Sequence, residues 1–491
     1  MNIELQVLGS ALRAVAEEMG VVLIRSAFSP NIKERRDCST ALFDADGRMI
    51  TQAEHIPVHL GAMPEAVAAV RDRDPEPSQI WVVNDPFTGG THLPDVTLVS
   101  RTAVGFAASR AHHADIGGME PASLPATSTE LFQEGLVIPP VPLDDTVLTL
   151  VLANVRGPEE RLGDLRAQIA AQRLAERRLE ELCALRGRDQ VVEAMNELFA
   201  YSERLVRAAL GSIPDGCYEA SDVLEAREGD LEIHAAVTVS GDEVEIDFAG
   251  TAGEHPGNLN CPLAVTKSAS YFVIRCITDP DVPASGGAFA AVTVSAPEGS
   301  LLNARRPAAV VAGNTETASR VVDVLFRALG QATEVPAQGQ GTVNNLTLGN
   351  PRFTYYETIG GGQGACPDAP GPSGVHVAMS NTLNTPVEAV ELAYPLRVER
   401  YELRRGSGGA GGQAGGDGVV REVRVLEDCR LSVVSERRRT APSGACGGSD
   451  GAPGKNLVNG EEIGGKETRA LRAGDVVRME TPGGGGWGPA A

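Results

Sequence analysis

The chain has 491 residues, 43 of them basic and 65 acidic, for a formal net charge of −22. That length exceeds one ordinary domain and buries roughly three quarters of its surface, and 42% hydrophobic with 22% charged residues excludes wholesale disorder. An acidic balance with no block of Lys and Arg argues against nucleic acid, and no apolar run approaches the ~20 residues that a membrane span needs.

In chain order, residues 1–30 read as a helix, with Leu5, Leu8, Leu12, Val15 and Met19 at three- and four-residue spacing. Glu4, Glu17 and Glu18 on that helix do not suit a signal peptide, so a cytoplasmic address is expected. From 40 to 155 short apolar runs (Trp81–Val83, Val96–Val99, Val147–Leu152) alternate with Gly/Pro turns, which is strand-and-loop sequence. Residues 158–210 are helical, with Leu162, Leu165 and Ile169 opening an apolar stripe and a break at Gly187 before a second helix through Phe199. Pro214-Asp215-Gly216 is a turn, and Glu232 to Phe248 alternates across Ser240-Gly241-Asp242 as a hairpin. A helix is expected at 313–330, with Asn314 or Thr315 as its cap. Glycine then dominates: 22 of the 56 glycines lie in the last 91 residues, between short strands.

The class expected is α+β, a mixed fold with a helical hairpin and a glycine-rich β C-terminal part. Its regions are 1–157 (metal-binding, α/β), 158–212 (helical hairpin), 213–400 (mixed α+β) and 401–491 (glycine-rich β). Eight cysteines without a CxxC pair read as reduced, mostly buried thiols.

Five of the eight histidines (His55, His59, His92, His112, His113) crowd into one stretch. The densest signal is the loop Asn84–Asp95, where His92 and Asp95 stand three apart on a turn held by glycines and prolines. An imidazole and a carboxylate so placed suit Zn²⁺, Mn²⁺ or Fe²⁺. Seventeen residues beyond Asp95, the second loop offers His112, His113 and Asp115, and a hairpin through Val96–Val99 and Thr102–Ala107 would bring it beside the first. In an extended chain His112 and His113 point to opposite faces, so only one can serve a given site. Asn31–Asp37 is a dense charged cluster that, on composition, fits a solvated helix end as well as a site. Gly454-Lys455-Asn456 lacks the glycine frame and the Ser/Thr of a phosphate loop, and there is no G-x-S-x-G elbow.

These motifs together resemble the hydantoinase B/5-oxoprolinase β-subunit family, to which caprolactamase and acetone or acetophenone carboxylase subunits are related. The resemblance runs from Asn31–Ser39 and His55–Gly61 through the two histidine loops, Gly163–Gln168, Asn344-Asn345, Tyr355–Gly362 and Asn381–Pro386 to Ser407–Gly411 and Thr481–Gly486. It implies a divalent metal (Zn or Mn) and a hydantoinase A-type partner that binds ATP and Mg. The implied substrate is a lactam, imide or ketone. The implied activity is that of an ATP-dependent cyclic amidase subunit acting on a ring activated by phosphorylation in the partner. The alternatives are a large subunit of an ATP-dependent ketone carboxylase and a non-catalytic scaffold. The resemblance puts metal ligands at Glu34, His92, Asp95 and one of His112 and His113, of which His112 is the choice, with Asp115 and His59 as orienting or substrate-facing residues. Relatives often carry a second histidine where this chain has Ala378 in His376-Val377-Ala378-Met379.

Overall fold

A computed structural model describes residues 3–53 and 56–490; His55 lies outside the described residues. The apolar stripe of the first helix, Ile3–Ser26, is buried from Leu5 to Leu23 and packs along the long helix Pro158–Arg186. Gly187, at φ 89°, breaks that helix, and a second runs Arg188–Leu210, a full eleven residues past Phe199 because Ser202, Val206 and Leu210 continue its buried face.

Four sheets follow. The first is antiparallel, in the order Met49–Ala53, Cys38–Asp44, Gly105–His112, Asp95–Thr102, Ile80–Val83, Val141–Pro142. The second carries the expected hairpin, Leu231–Ser240 with Glu243–Asp247. The third joins Asn345–Asn350 and Phe353–Thr358 to Cys429–Val434 and Lys466–Leu471, and so links residues on both sides of position 400. The fourth holds five strands from Leu396–Arg404 to Val476–Glu480. Glycine-rich segments thread between these sheets as close backbone contacts: a Cβ on Gly484 would lie 2.0 Å from the Gln363 carbonyl oxygen.

Two local readings are corrected. Val147–Leu152 belongs to a helix, Asp145–Ala153, because Asp144 caps it with a side-chain oxygen that accepts from Val147 N–H. Asn314 and Thr315 do not cap a helix; they lie in a π-helical turn, Gly313–Thr317, that runs into the helix Ala318–Leu329.

One buried cation ties the first sheet to the third. Arg35, fully buried, donates from Nη1 to Asn31 Oδ1 (2.8 Å) and the Tyr356 carbonyl (3.0 Å), and from Nη2 to the hydroxyls of Thr358 and Thr382. Replacing Arg35 with Met would leave these acceptors unpaired in the interior, at about 1–3 kcal/mol each before relaxation. The expected result is a clear fall in the urea unfolding midpoint, against a near-neutral change for Met in place of exposed Arg36.

Candidate metal centre

The centre is built at the end of the Asp95–Thr102/Gly105–His112 hairpin. Its register sets Asp95 directly opposite His112, so both side chains leave the same face of the sheet. The third strand continues the row: Cys38 pairs with Ala111, and His112 N–H donates to the Asp37 carbonyl at 3.0 Å. Asp37, His112 and Asp95 therefore stand side by side across three strands.

His92 arrives on the preceding loop, which is held from both ends. Asn84 donates to the Leu93 and Leu136 carbonyls (2.8 and 2.9 Å) and accepts from Ile138 N–H (2.6 Å). Buried Arg110 donates to the Gly89 carbonyl at 2.6 Å. Gly89 has φ 83° and passes so close to the helix Ala62–Arg71 that a Cβ would sit 2.2 Å from Ala66 N, so no other residue fits there.

Three ligand atoms converge. His92 Nε2, His112 Nδ1 and Asp95 Oδ1 are each 3.1 Å from the other two, and the three residues form a group able to hold a metal ion. Two ring nitrogens carry at most two protons in this triangle, each aimed along its ring plane, so mutual hydrogen bonds cannot satisfy all three edges. One divalent cation held by all three atoms would. The outward nitrogens, His92 Nδ1 and His112 Nε2, are buried without a protein partner, and the donor set is the borderline nitrogen and hard oxygen that suit Zn²⁺, Mn²⁺ or Fe²⁺.

The carboxylate's other oxygen, Asp95 Oδ2, accepts from the Thr91 hydroxyl and lies 3.6 Å from His59 Nε2. Burial by itself would raise the Asp95 pKa; the charge of His92 and the hydrogen bonds from His112, His59 and His92 outweigh it and hold the group well below the usual carboxylate range. Burial also lowers the His59 pKa, against the pull of Asp95. Tyr356 stacks on the His112 ring at 4.7 Å, and Asn31 donates to the His112 carbonyl at 2.7 Å.

The remaining expected residues fall elsewhere. His113 turns to the opposite face, where its Nε2 meets Gln168 Oε1 at 2.9 Å and burial pulls its pKa down to about 4. Asp115 is a loop brace: it accepts from the N–H groups of Gly117, Ala122 and Arg156 and pairs with the Arg156 guanidinium at 2.9 Å. Glu34 ends the short helix Pro30–Lys33, half-buried, and does not line the cavity in front of the triangle. Asp37, three residues on, does line it. Arg36 between them adopts φ 57°, which stops the helix and starts the strand. The signal for Asp37 was its place one residue before the Cys38–Asp44 strand, which matters only once that strand's partner is known.

The cavity is small, about 40 Å³, and is walled by Ile56, Val58, Asn314, Thr315, Val343 and the segment Met379–Thr382. Val377 and Ala378, just before that segment, line a separate cleft of about 690 Å³. Ala378, in the position highlighted by the sequence, therefore faces away from the metal cavity. His376 is half-buried beside it, within 2.6 Å of Ser380 Oγ.

An α+β chain with a two-histidine, one-carboxylate cluster at the end of an antiparallel sheet is the class that this geometry defines. The chain belongs to the hydantoinase B/oxoprolinase family, which it matches over residues 1–490. It is 39% identical to MJ0963, an uncharacterised protein of Methanocaldococcus jannaschii, over 99% of this chain and 90% of that one. It is 37% identical to 5-oxoprolinase 1 of Arabidopsis thaliana over 99% of its own length but only 42% of the relative's. Among solved structures, ATP-dependent caprolactamase from Pseudomonas jessenii superposes with a TM-score of 0.93 at 28% identity, covering 99% of this chain and 91% of that one. Acetone carboxylase shares the fold, with a TM-score of 0.89 at 18% identity over 99% and 75% of the two chains.

Substitution should separate the two neighbouring histidines. His92→Ala, Asp95→Ala and His112→Ala are expected to lower bound divalent metal at least tenfold by elemental analysis, whereas His113→Ala keeps the metal and loses only stability.

Proposed function

We propose that this chain is the metal-bearing subunit of an ATP-dependent cyclic amidase. The observation that carries this reading is the His92–Asp95–His112 triangle, set in a chain whose structural relative opens a lactam at the expense of ATP. His92, Asp95 and His112 would hold a divalent cation, with Asp37 beside them in the same row. When bound, such a cation supplies Lewis acidity for polarising a carbonyl or acidifying water.

The chain's own side chains then have distinct tasks. His59 Nδ1 is engaged by Ser39 Oγ at 2.9 Å, which fixes the ring and leaves Nε2 facing the cavity. Burial lowers the pKa of this imidazole, and its Nε2, 3.6 Å from Asp95 Oδ2, helps to orient the carboxylate. Thr91 and the three histidines hold Asp95 ionised and oriented. Asp115 and Arg156 keep the second histidine loop in shape from behind.

An unactivated amide has a resonance-stabilised carbonyl and a poor leaving group, so its opening needs a chemical input. A hydantoinase A-type partner that binds ATP and Mg would provide it by phosphorylating the carbonyl oxygen. The length relation supports that division of labour: this chain corresponds to about two fifths of the 5-oxoprolinase it matches, and the rest of that longer protein has room for the activating half. Hydrolysis is favoured over ketone carboxylation because the lactam-opening relative is similar in sequence as well as in fold, while the carboxylase likeness, at 18% identity, extends to fold alone.

Co-expression with a hydantoinase A-type partner should give ADP release coupled one to one with ring opening on a panel of lactams and imides, with no label incorporated from bicarbonate. His92→Ala should lower turnover by at least a thousandfold. A carboxylated product, or ring opening that ignores ATP, would overturn the assignment.

A further inference from the structure

Asn314 is 4% exposed, lines the metal cavity, and has an Oδ1 with no protein hydrogen-bond partner; neither end of its carboxamide is bonded to a described residue. Its polar neighbours are engaged. Thr315 Oγ1 donates to the Ala312 carbonyl, the Thr358 and Thr382 hydroxyls meet at 2.7 Å under Arg35, and Ser380 is held by His376.

The backbone under Asn314 is clamped. Ala312 and Gly313 N–H groups both donate to the Asn258 carbonyl at 3.0 Å, Thr317 Oγ1 donates to the Leu259 carbonyl at 2.6 Å, and Cys261 Sγ contacts the Gly313 carbonyl at 3.2 Å. A Cβ on Gly313 would lie 1.8 Å from the Asn260 carbonyl oxygen, so the turn is pressed against its neighbour. The π-helical winding of Gly313–Thr317, an arrangement concentrated at functional sites, is what presents this side chain there. A rigid turn that offers an unbonded buried carboxamide to a cavity is built for a ligand, since buried amides are otherwise paired.

We infer that Asn314 is the specificity-determining residue that recognises the cis-amide edge of a cyclic substrate. In a small ring the amide is held cis, so its N–H and C=O project on one side as a donor beside an acceptor. A primary carboxamide presents the same pair reversed, and the two meet through antiparallel hydrogen bonds. An open-chain secondary amide is trans, with the two groups on opposite sides, and cannot make both. The carbonyl oxygen keeps a second lone pair for the metal face. Among the described lining residues there is no Lys or Arg, so the wall addresses a neutral amide edge rather than a carboxylate. The ligand class is a lactam, imide or hydantoin with a free ring N–H, its amide edge entering the cavity of about 40 Å³ and the rest of the ring standing outside it, a refinement that rests on the cyclic-amidase reading.

The test is binding rather than turnover. Ligand-observed NMR on the full-length chain loaded with Mn²⁺ would compare paramagnetic broadening of 2-pyrrolidinone with that of N-methyl-2-pyrrolidinone. The wild type should prefer the N–H ring at least tenfold, because the methylated ring leaves the carboxamide unpaired. Asn314→Leu, close in shape, should reduce the preference to near one with metal content and melting temperature unchanged, and Asn314→Ala should do the same should Leu disturb the turn. Binding of neither ring, an equal affinity of the wild type for both, a preference that survives both variants, or loss of metal from both variants would each overturn the inference. A tenfold preference in a complex that opens no ring with ATP would sink the cyclic-amidase reading and leave Asn314 as an amide-recognition residue. Ring opening without the preference would do the reverse.

Discussion

The pairing register of the Asp95–Thr102/Gly105–His112 hairpin is the constraint on which the site depends. Side chains alternate along a strand, so a slip of one residue would carry His112 to the far face and bring His113 forward in its place. The register is secured by what lies on both faces. Gln172 on the long helix donates to the Leu98 carbonyl and Gln168 to the Val96 carbonyl, while Asn31 and Asp37 hold the His112 backbone from the other side. Two adjacent histidines thereby acquire unrelated roles, one at the cation triangle and the other in the packing against Gln168.

Burial gives the triangle its chemistry. His59, His92, Asp95 and His112 are all nearly inaccessible, and in such surroundings an ionised carboxylate persists only where donors surround it. Asp95 has them on both oxygens. The same low-polarity setting makes a bound cation's charge count for more than it would in water. Arg35, nearby, contributes without facing the cavity: it spends its donors on the walls and lies 5.1 Å from the Tyr356 ring, the ring that stacks on His112. First and third sheets are therefore locked together at the point where the site needs both.

Much of this architecture was legible from local pattern. Period-3.6 stripes marked the first helix and the 158–210 pair, Gly187 marked the break between them, and the Ser240-Gly241-Asp242 hairpin was readable from alternation. Errors arose where a single hydrogen bond or a packed neighbour outweighed the pattern. The β-branched run Val147–Leu152 became helical behind the Asp144 cap. Asn314 looked like a cap by residue type, but the contact of Gly313 with Asn260 wound the chain into a π-turn and sent the side chain to the cavity instead.

Sequence by itself determined the α+β class, the helical hairpin, the two histidine loops and the pairing of His92 with Asp95, because each of these is set by residues close together along the chain. Tertiary structure alone decided that Asp37 rather than Glu34 faces the cavity, that Asp115 braces a loop, and that Asn314, more than two hundred residues from His92, joins the same wall. Those assignments depend on which strand lies beside which, and strand order is fixed by burial and long-range hydrogen bonds that no local spacing records.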